Sequence, residues 1–137
     1  MLTKTITSPD QVKAKYQRVR RRSAAPTQPL APEDTVVQPM TDVSPPKWHV
    51  GHTTWFFEEF VLSPHKAGYR RFHPKFAYLF NSYYEGAGER VQRSLRGNMT
   101  RPTKQEVLAY RHFVDAAMQD FLQRGDNVSP EVLGLIE

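Results

Sequence analysis

His49 and His52 stand three residues apart, with Glu59 a heptad beyond the second, and these are the side chains best suited to hold a metal ion. Neutral imidazole is the commonest metal ligand, and helical bundles build metal sites from side chains on facing helices. The same pair also fits a plainer role, as core histidines hydrogen-bonded to neighbours. A complete site needs a further ligand from another helix. The other histidines are His65, His73 and His112, and none stands at ligand spacing. On the residues alone, metal binding and a structural role both stay open.

A second group lies between Asn81 and Arg101, where Tyr83 and Tyr84 precede Gly86-Ala87-Gly88 and then Arg90, Arg93, Arg96 and Arg101. Arginine can grip a carboxylate bidentately and tyrosine can donate a hydrogen bond or a proton, so the stretch suits a small anionic ligand. A loop merely anchored by its aromatics is the alternative. The basic run Arg18, Arg20, Arg21, Arg22 reads as a solvated helix end, where cations also favour the C-terminal dipole. The net charge of +5 and the aromatics raise nucleic acid as a partner. Without helix-turn-helix spacing, a zinc finger or an RNP-like strand, no nucleic-acid partner is expected. The sequence also lacks GxGxxG, P-loop and GxSxG motifs.

Four helices must carry these groups. Ser8-Pro9-Asp10-Gln11 offers a cap, a proline at the first helical position and a glutamine closing a capping box. Val12, Tyr16 and Val19 then recur at helical spacing to about Arg22. Residues 24–39 contain Pro26, Pro29, Pro32 and Pro39 and read as an extended surface connection. Ser44-Pro45-Pro46 repeats the cap-then-proline signal and opens a second helix to about Leu62. Trp48, His52, Trp55, Glu59 and Leu62 share one face of it, flanked by His49, Phe56 and Phe60, so this helix is central. Ser63 to Arg101 is a long connection whose many aromatics argue for function rather than disorder. Thr103-Lys104-Gln105-Glu106 caps a third helix, with Val107, Tyr110, Val114, Met118 and Phe121 on one face, ending near Arg124-Gly125. Ser129-Pro130 starts a fourth, which reaches Glu137 after barely two turns. The expected fold is all-α, an up-down four-helix bundle with a shortened last helix, in one domain spanning residues 1–137.

The absence of cysteine excludes disulfides and thiolate metal sites and suits a reducing compartment. No apolar run is long enough for a membrane span, and Met1-Leu2-Thr3-Lys4 lacks the layout of a secretion signal. The expected location is cytoplasmic, with no membrane partner.

Leu30-Ala31-Pro32-Glu33-Asp34 through Gln38, then the string from Ser44-Pro45-Pro46-Lys47 through Trp48-His49-Val50-Gly51-His52-Thr53-Thr54-Trp55-Phe56-Phe57-Glu58, closely resemble the start of the ergothioneine-biosynthesis sulfoxide synthases, the EgtB family. The resemblance continues through Tyr78-Leu79-Phe80-Asn81-Ser82-Tyr83-Tyr84, Arg101-Pro102-Thr103 and Glu106-Val107-Leu108-Ala109-Tyr110-Arg111. It covers the chain from about Tyr16 onward. The related selenoneine synthases share this architecture. The resemblance implies a DinB-like four-helix bundle, followed in that family by a formylglycine-generating-enzyme-type domain that this sequence does not contain. It implies a non-haem iron(II) held by three histidines, the first matching His52 and not His49. The other two belong to an H-x-x-x-H pair on the fourth helix, which this sequence stops short of.

The implied reaction uses O2 to join a cysteine-derived thiol to trimethylhistidine and oxidise the sulfur. Tyr83 and Tyr84 would reach the active site, one as a proton donor, and Arg90 would bind the carboxylate of the thiol substrate. A neighbouring arginine position of the family is Ala87 here. With one ligand of three, the chain is expected to be inactive alone and to bind iron weakly. Its shortened helix is expected to leave an apolar groove lined by Trp48, Trp55 and Met118, through which it could self-associate. Two other readings are a stand-alone DinB-like relative of metal-dependent thiol transferases and a non-catalytic binding module.

Overall fold

The computed structural model describes residues 8–82, 89–124 and 128–136. Among them every regular element is helical, and no helix is long and apolar enough to cross a membrane. Helix α1 spans Pro9–Ala24, and its start is built as the sequence specifies. Ser8 Oγ accepts from Gln11 N at 3.3 Å, while Gln11 Oε1 accepts from Ser8 N at 3.0 Å. Two 3-10 turns, Ala25–Thr27 and Pro32–Val36, break up the connection that follows.

Helix α2 spans Pro46–Phe57 and runs on through a π-helical turn, Glu58–Leu62, into the short α3, Ser63–His65. Its N-cap is Pro45, with no side-chain cap. Ser44 does not cap the helix. It is buried, and its hydroxyl accepts from the Arg96 guanidinium. The long connection contains a further helix, α4 (Phe76–Phe80), and a 3-10 stretch, Arg93–Asn98. Helix α5 spans Lys104–Gln123, with Glu106 N donating to Thr103 Oγ1 at 3.1 Å, and α6 spans Pro130–Ile136.

Side-chain contacts set the helix directions. Lys104 at the start of α5 donates to the carbonyls of Thr27 and Leu30, just past the end of α1. Tyr16, earlier in α1, reaches Asp115, further along α5. The two helices are therefore antiparallel. Val50 of α2 meets Arg111, and Lys66, after α3, pairs with Asp120. So α2 and α5 run the same way, and a parallel pair requires a long return path, which residues 66–103 provide. Helix α6 packs on α1 and the π turn, which completes the bundle.

Trp55, Val61, Leu62, Phe80, Tyr110, Val114 and Met118 form the innermost layer. Trp48, Trp55 and Met118 are thus core residues and do not line an exposed groove. Among the described residues an apolar groove lies between α1, α2 and α6, lined by Val12, Val19, Phe56, Phe57, Leu135 and Ile136.

Two polar clusters lie inside this apolar frame. Glu58 is 1% exposed and accepts from Tyr69 OH at 2.5 Å, Tyr110 OH at 2.9 Å and Phe72 N at 3.2 Å. Three donors of this kind offset the desolvation of a carboxylate. Burial, together with the adjacent Glu58 charge, pushes both tyrosine pKa values well above the usual phenol range. Glu59, expected on the inner face, pairs instead with Arg71.

The second cluster centres on Arg111, 3% exposed. Its Nε donates to Thr54 Oγ1 at 2.7 Å, Nη1 to Ser23 Oγ at 3.0 Å and Arg20 O at 3.4 Å, and Nη2 to Thr53 Oγ1 at 2.6 Å and Val50 O at 3.2 Å. Arg20 is equally buried, so this part of the basic run is not a solvated helix end. Its Nε meets Asp115 Oδ1 at 3.0 Å, Tyr16 OH shares that oxygen at 2.7 Å, and Nη1 donates to Thr53 O at 3.0 Å.

Lysine has three donors on one nitrogen and cannot reproduce this fork. Arg111→Lys is therefore expected to leave at least two buried acceptors unmet and to lower stability by about 2–4 kcal/mol. Urea unfolding of both proteins measures this; an unchanged midpoint would remove Arg111 as the tie between α1, α2 and α5.

Candidate functional site

Gly51 is where α4 meets α2. A Cβ added there would lie 2.2 Å from Phe80 Cε1, so only glycine admits the fully buried Phe80 ring against this turn. That approach brings the last carbonyls of α4 to the side chains flanking Gly51. Carbonyls in the last turn of a helix have no intrahelical donor. Here Trp48 Nε1–H donates to Leu79 O at 2.9 Å, and His52 Nδ1 lies 2.7 Å from Phe80 O.

The second contact fixes the state of the histidine. A carbonyl oxygen can only accept, so Nδ1 carries the proton, and Nε2 keeps its lone pair. This is the arrangement in which a histidine serves a metal, with the far nitrogen tied to a backbone carbonyl. The imidazole is half-buried and stacked between two indoles, Trp48 at 4.8 Å and 9° and Trp55 at 5.6 Å and 22°. Desolvation lowers its pKa below the ordinary 6.5; the Phe80 carbonyl opposes the shift, and Arg96 and His49 add to it. His52 is thus neutral near pH 7, as a metal ligand must be.

His49 has a different setting. It is exposed and edge-on to Trp48, away from the indole sandwich. The structure does not gather His49, His52 and Glu59 into one site, because Glu59 is engaged with Arg71. His65, His73 and His112 are exposed. Among the described residues no three His, Asp or Glu side chains assemble as a metal-binding set. His52 fits one ligand position, and the described residues supply no others to complete it.

Beyond Trp48 lies a cavity of about 410 Å³ lined by Thr41, Asp42, Ser82 and residues 90–94 and 96. Arg90 lines it, exposed, with its Nη1 donating to Ser82 O. Ser82 and Phe80 are two residues apart in the chain, so a single backbone segment holds both His52 and Arg90. Arg90, Arg93 and Arg96 face one carboxylate, Asp42, around this cavity, which gives it an excess of positive charge suited to an anion. Tyr83 and Tyr84, expected near the active site, lie outside the described residues.

A larger cavity, about 700 Å³, lies between α1 and α5 along Arg20, Arg111 and His112. It contains none of the expected site residues, and the donors of its two buried arginines are already engaged. Size is therefore a poorer guide to function here than the chemistry around His52.

Sequence reasoning placed Arg96 among the anion-binding arginines and Ser44 at a helix cap; it missed their contact with each other, the Arg96–Trp48 stack and the Phe80 carbonyl. Indoles four residues before and three after His52 are a signal that could have announced the sandwiched ring. Residues 15–131 match the family model of the DinB superfamily. No curated protein matches the chain.

Two outcomes follow from this geometry. Gly51→Ala is expected to displace Phe80 and cost about 1–3 kcal/mol by overpacking, shifting the His52 ring signals in NMR spectra; unchanged signals would sever α4 from the histidine. The second concerns acid. A histidine whose folded pKa is depressed binds fewer protons folded than unfolded below pH 6.5. Its contribution is therefore complete above that pH and is lost as pH falls through the lower folded value. NMR titration should place the His52 midpoint below 6.5, and a midpoint above it would contradict the desolvated, tautomer-fixed ring.

Proposed function

The chain belongs to the DinB superfamily, and from that premise we propose that it is the iron-site domain of an O2-dependent sulfoxide synthase, with His52 as its metal ligand. The observation that carries this reading is the His52 Nδ1 contact to Phe80 O at 2.7 Å, which leaves Nε2 free to bind a cation. Membership in a superfamily whose domains often bind metal supports it, and so does the Trp-His-x-x-His-Thr-Thr-Trp-Phe-Phe-Glu string shared with the ergothioneine-biosynthesis enzymes.

Iron(II), when bound, supplies the redox chemistry with O2 by which a thiol sulfur is joined to the trimethylhistidine ring and oxidised. The residues of this chain have narrower tasks. His52 holds a lone pair at a fixed place. The indoles of Trp48 and Trp55 keep water from both faces of its ring. Arg90, with Arg93 and Arg96 around the cavity, neutralises the carboxylate of a cysteine-derived thiol. Tyr83 or Tyr84 donates the proton. Two more histidines are required, and the sequence contains no H-x-x-x-H pair to supply them. Activity in this reading therefore depends on a fourth-helix pair and a second domain beyond these residues.

Anaerobic titration of the isotope-labelled chain with iron(II) tests the proposal. Weak, substoichiometric broadening centred on the His52 ring and abolished in His52→Ala is expected. Equal metal uptake by His52→Ala would overturn the ligand assignment, and tight stoichiometric binding would overturn the one-ligand site. Cysteine, added as the thiol probe, should shift signals around Ser82 and Arg93, and Arg90→Ala should weaken that binding roughly tenfold. Identical cysteine binding by both proteins would remove the thiol-substrate reading.

A further inference from the structure

We infer that Arg96 is a positioning residue for the His52 imidazole, acting through the Trp48 indole clamped between them; the inference rests on the reading of His52 as the metal ligand. Arg96 is 4% exposed. Among the described residues no carboxylate pairs with it, and its Nε is buried without a hydrogen-bond partner. Its Nη1 donates to Ser44 Oγ at 2.9 Å, and the guanidinium carbon lies 3.5 Å over the Trp48 ring.

A buried cation without a counter-ion is costly, and an aliphatic side chain could fill the same space without that cost. What a guanidinium adds is a flat cation against an aromatic face in a desolvated setting. Burial, with Arg93 and Arg90 nearby, pulls its pKa down to about 10, still far above neutrality, so the charge persists.

The stack has a direction. Ser44, which anchors Arg96, is four residues before Trp48, and His52 is four residues after it. A guanidinium 3.5 Å above the ring centre fills that face of the indole, so the imidazole takes the other. The order along α2 is Arg96, Trp48, His52, Trp55. The bond from Trp48 Nε1 to Leu79 O holds the indole within its own plane, and Arg96 holds it along the normal to that plane. One hydrogen bond from His52 to Phe80 O leaves the imidazole free to turn about the bond axis. The indole, parallel to within 9°, removes that freedom and so sets where Nε2 points. Arg96 thereby connects the cationic cavity, which it lines, to the metal ligand two layers away.

The test uses the whole 137-residue chain with the imidazole nitrogens observed directly. In the native chain they should report one Nδ1–H tautomer, with ring–ring contacts to both indoles. Arg96→Met keeps the bulk and removes the flat cation. It should retain helical content while the two nitrogen shifts move toward each other, the contacts to Trp48 weaken and iron(II) affinity falls roughly tenfold. Arg96→Lys, which keeps charge but not the plane, should behave like Arg96→Met.

Unchanged nitrogen shifts and affinity in folded Arg96→Met would overturn the inference, as would full rescue by lysine. If both variants fail to fold, Ser44→Ala, which loosens only one guanidinium hydrogen bond, should give a smaller shift in the same direction, and no shift overturns the inference. If iron(II) leaves His52 untouched in the native chain while the Arg96 variants still disturb the ring, the metal reading falls and the positioning role stands.

Discussion

The Arg111 guanidinium is the tie on which the arrangement of this bundle depends. Its donors, carried by α5, are shared between Arg20 and Ser23 of α1 and Val50, Thr53 and Thr54 of α2, so none of the three long helices can slide without leaving a buried acceptor unmet. Buried charges of this kind contribute little net stability compared with a well-packed apolar alternative. What they provide is register. Val50, Thr53 and Thr54 all answer to one residue of α5, which fixes the rotation of α2 about its axis.

That rotation decides the far side of α2. With Val50 and Thr54 turned toward Arg111, Gly51 is presented to α4, and Trp48, His52 and Trp55 are set around it. The short α4 then ends with two carbonyls in need of donors, and a tryptophan and a histidine supply them. Satisfying a helix end thus sets one of the restraints on the His52 ring, and the indoles set the other.

Much of this could be read from the sequence where the relevant interactions are local. The capping box at Ser8 formed as its spacing demands, Thr103 caps α5 with Glu106 accepting from its hydroxyl in place of its backbone N–H, and the apolar periodicity of α5 maps onto its buried face. The failures share a cause: a distant partner outweighed a local preference. Ser44 has the right neighbours for a cap, yet Arg96, fifty-two residues away, takes its hydroxyl. Glu59 stood on the expected stripe, but the buried carboxylate is Glu58, because Tyr69, Tyr110 and Phe72 N converge there. Arg20 sits in a run that looks solvated, and Asp115 together with Thr53 draws it inside. At His52 a resemblance distinguished two histidines that periodicity left equal, and the structure supplies the physical difference between them: one ring is sandwiched and tied to a carbonyl, the other is exposed.

The three buried arginines show why the cationic cavity matters more than the overall charge. Arg20 is neutralised by Asp115. Arg111 has no carboxylate of its own among the described residues, but its donors are spread over hydroxyls and carbonyls, and its pKa falls to about 10 through burial and the nearby Arg20 charge. Both charges are used up within the fold. Arg96 has one hydroxyl and an indole face, and it borders a cavity that Arg90 and Arg93 also line. Like charges gathered around one space repel. An anion in the cavity would relieve that repulsion at the residue that presses Trp48 against His52. The positive lining of the cavity and the setting of the His52 ring therefore meet at a single side chain, Arg96.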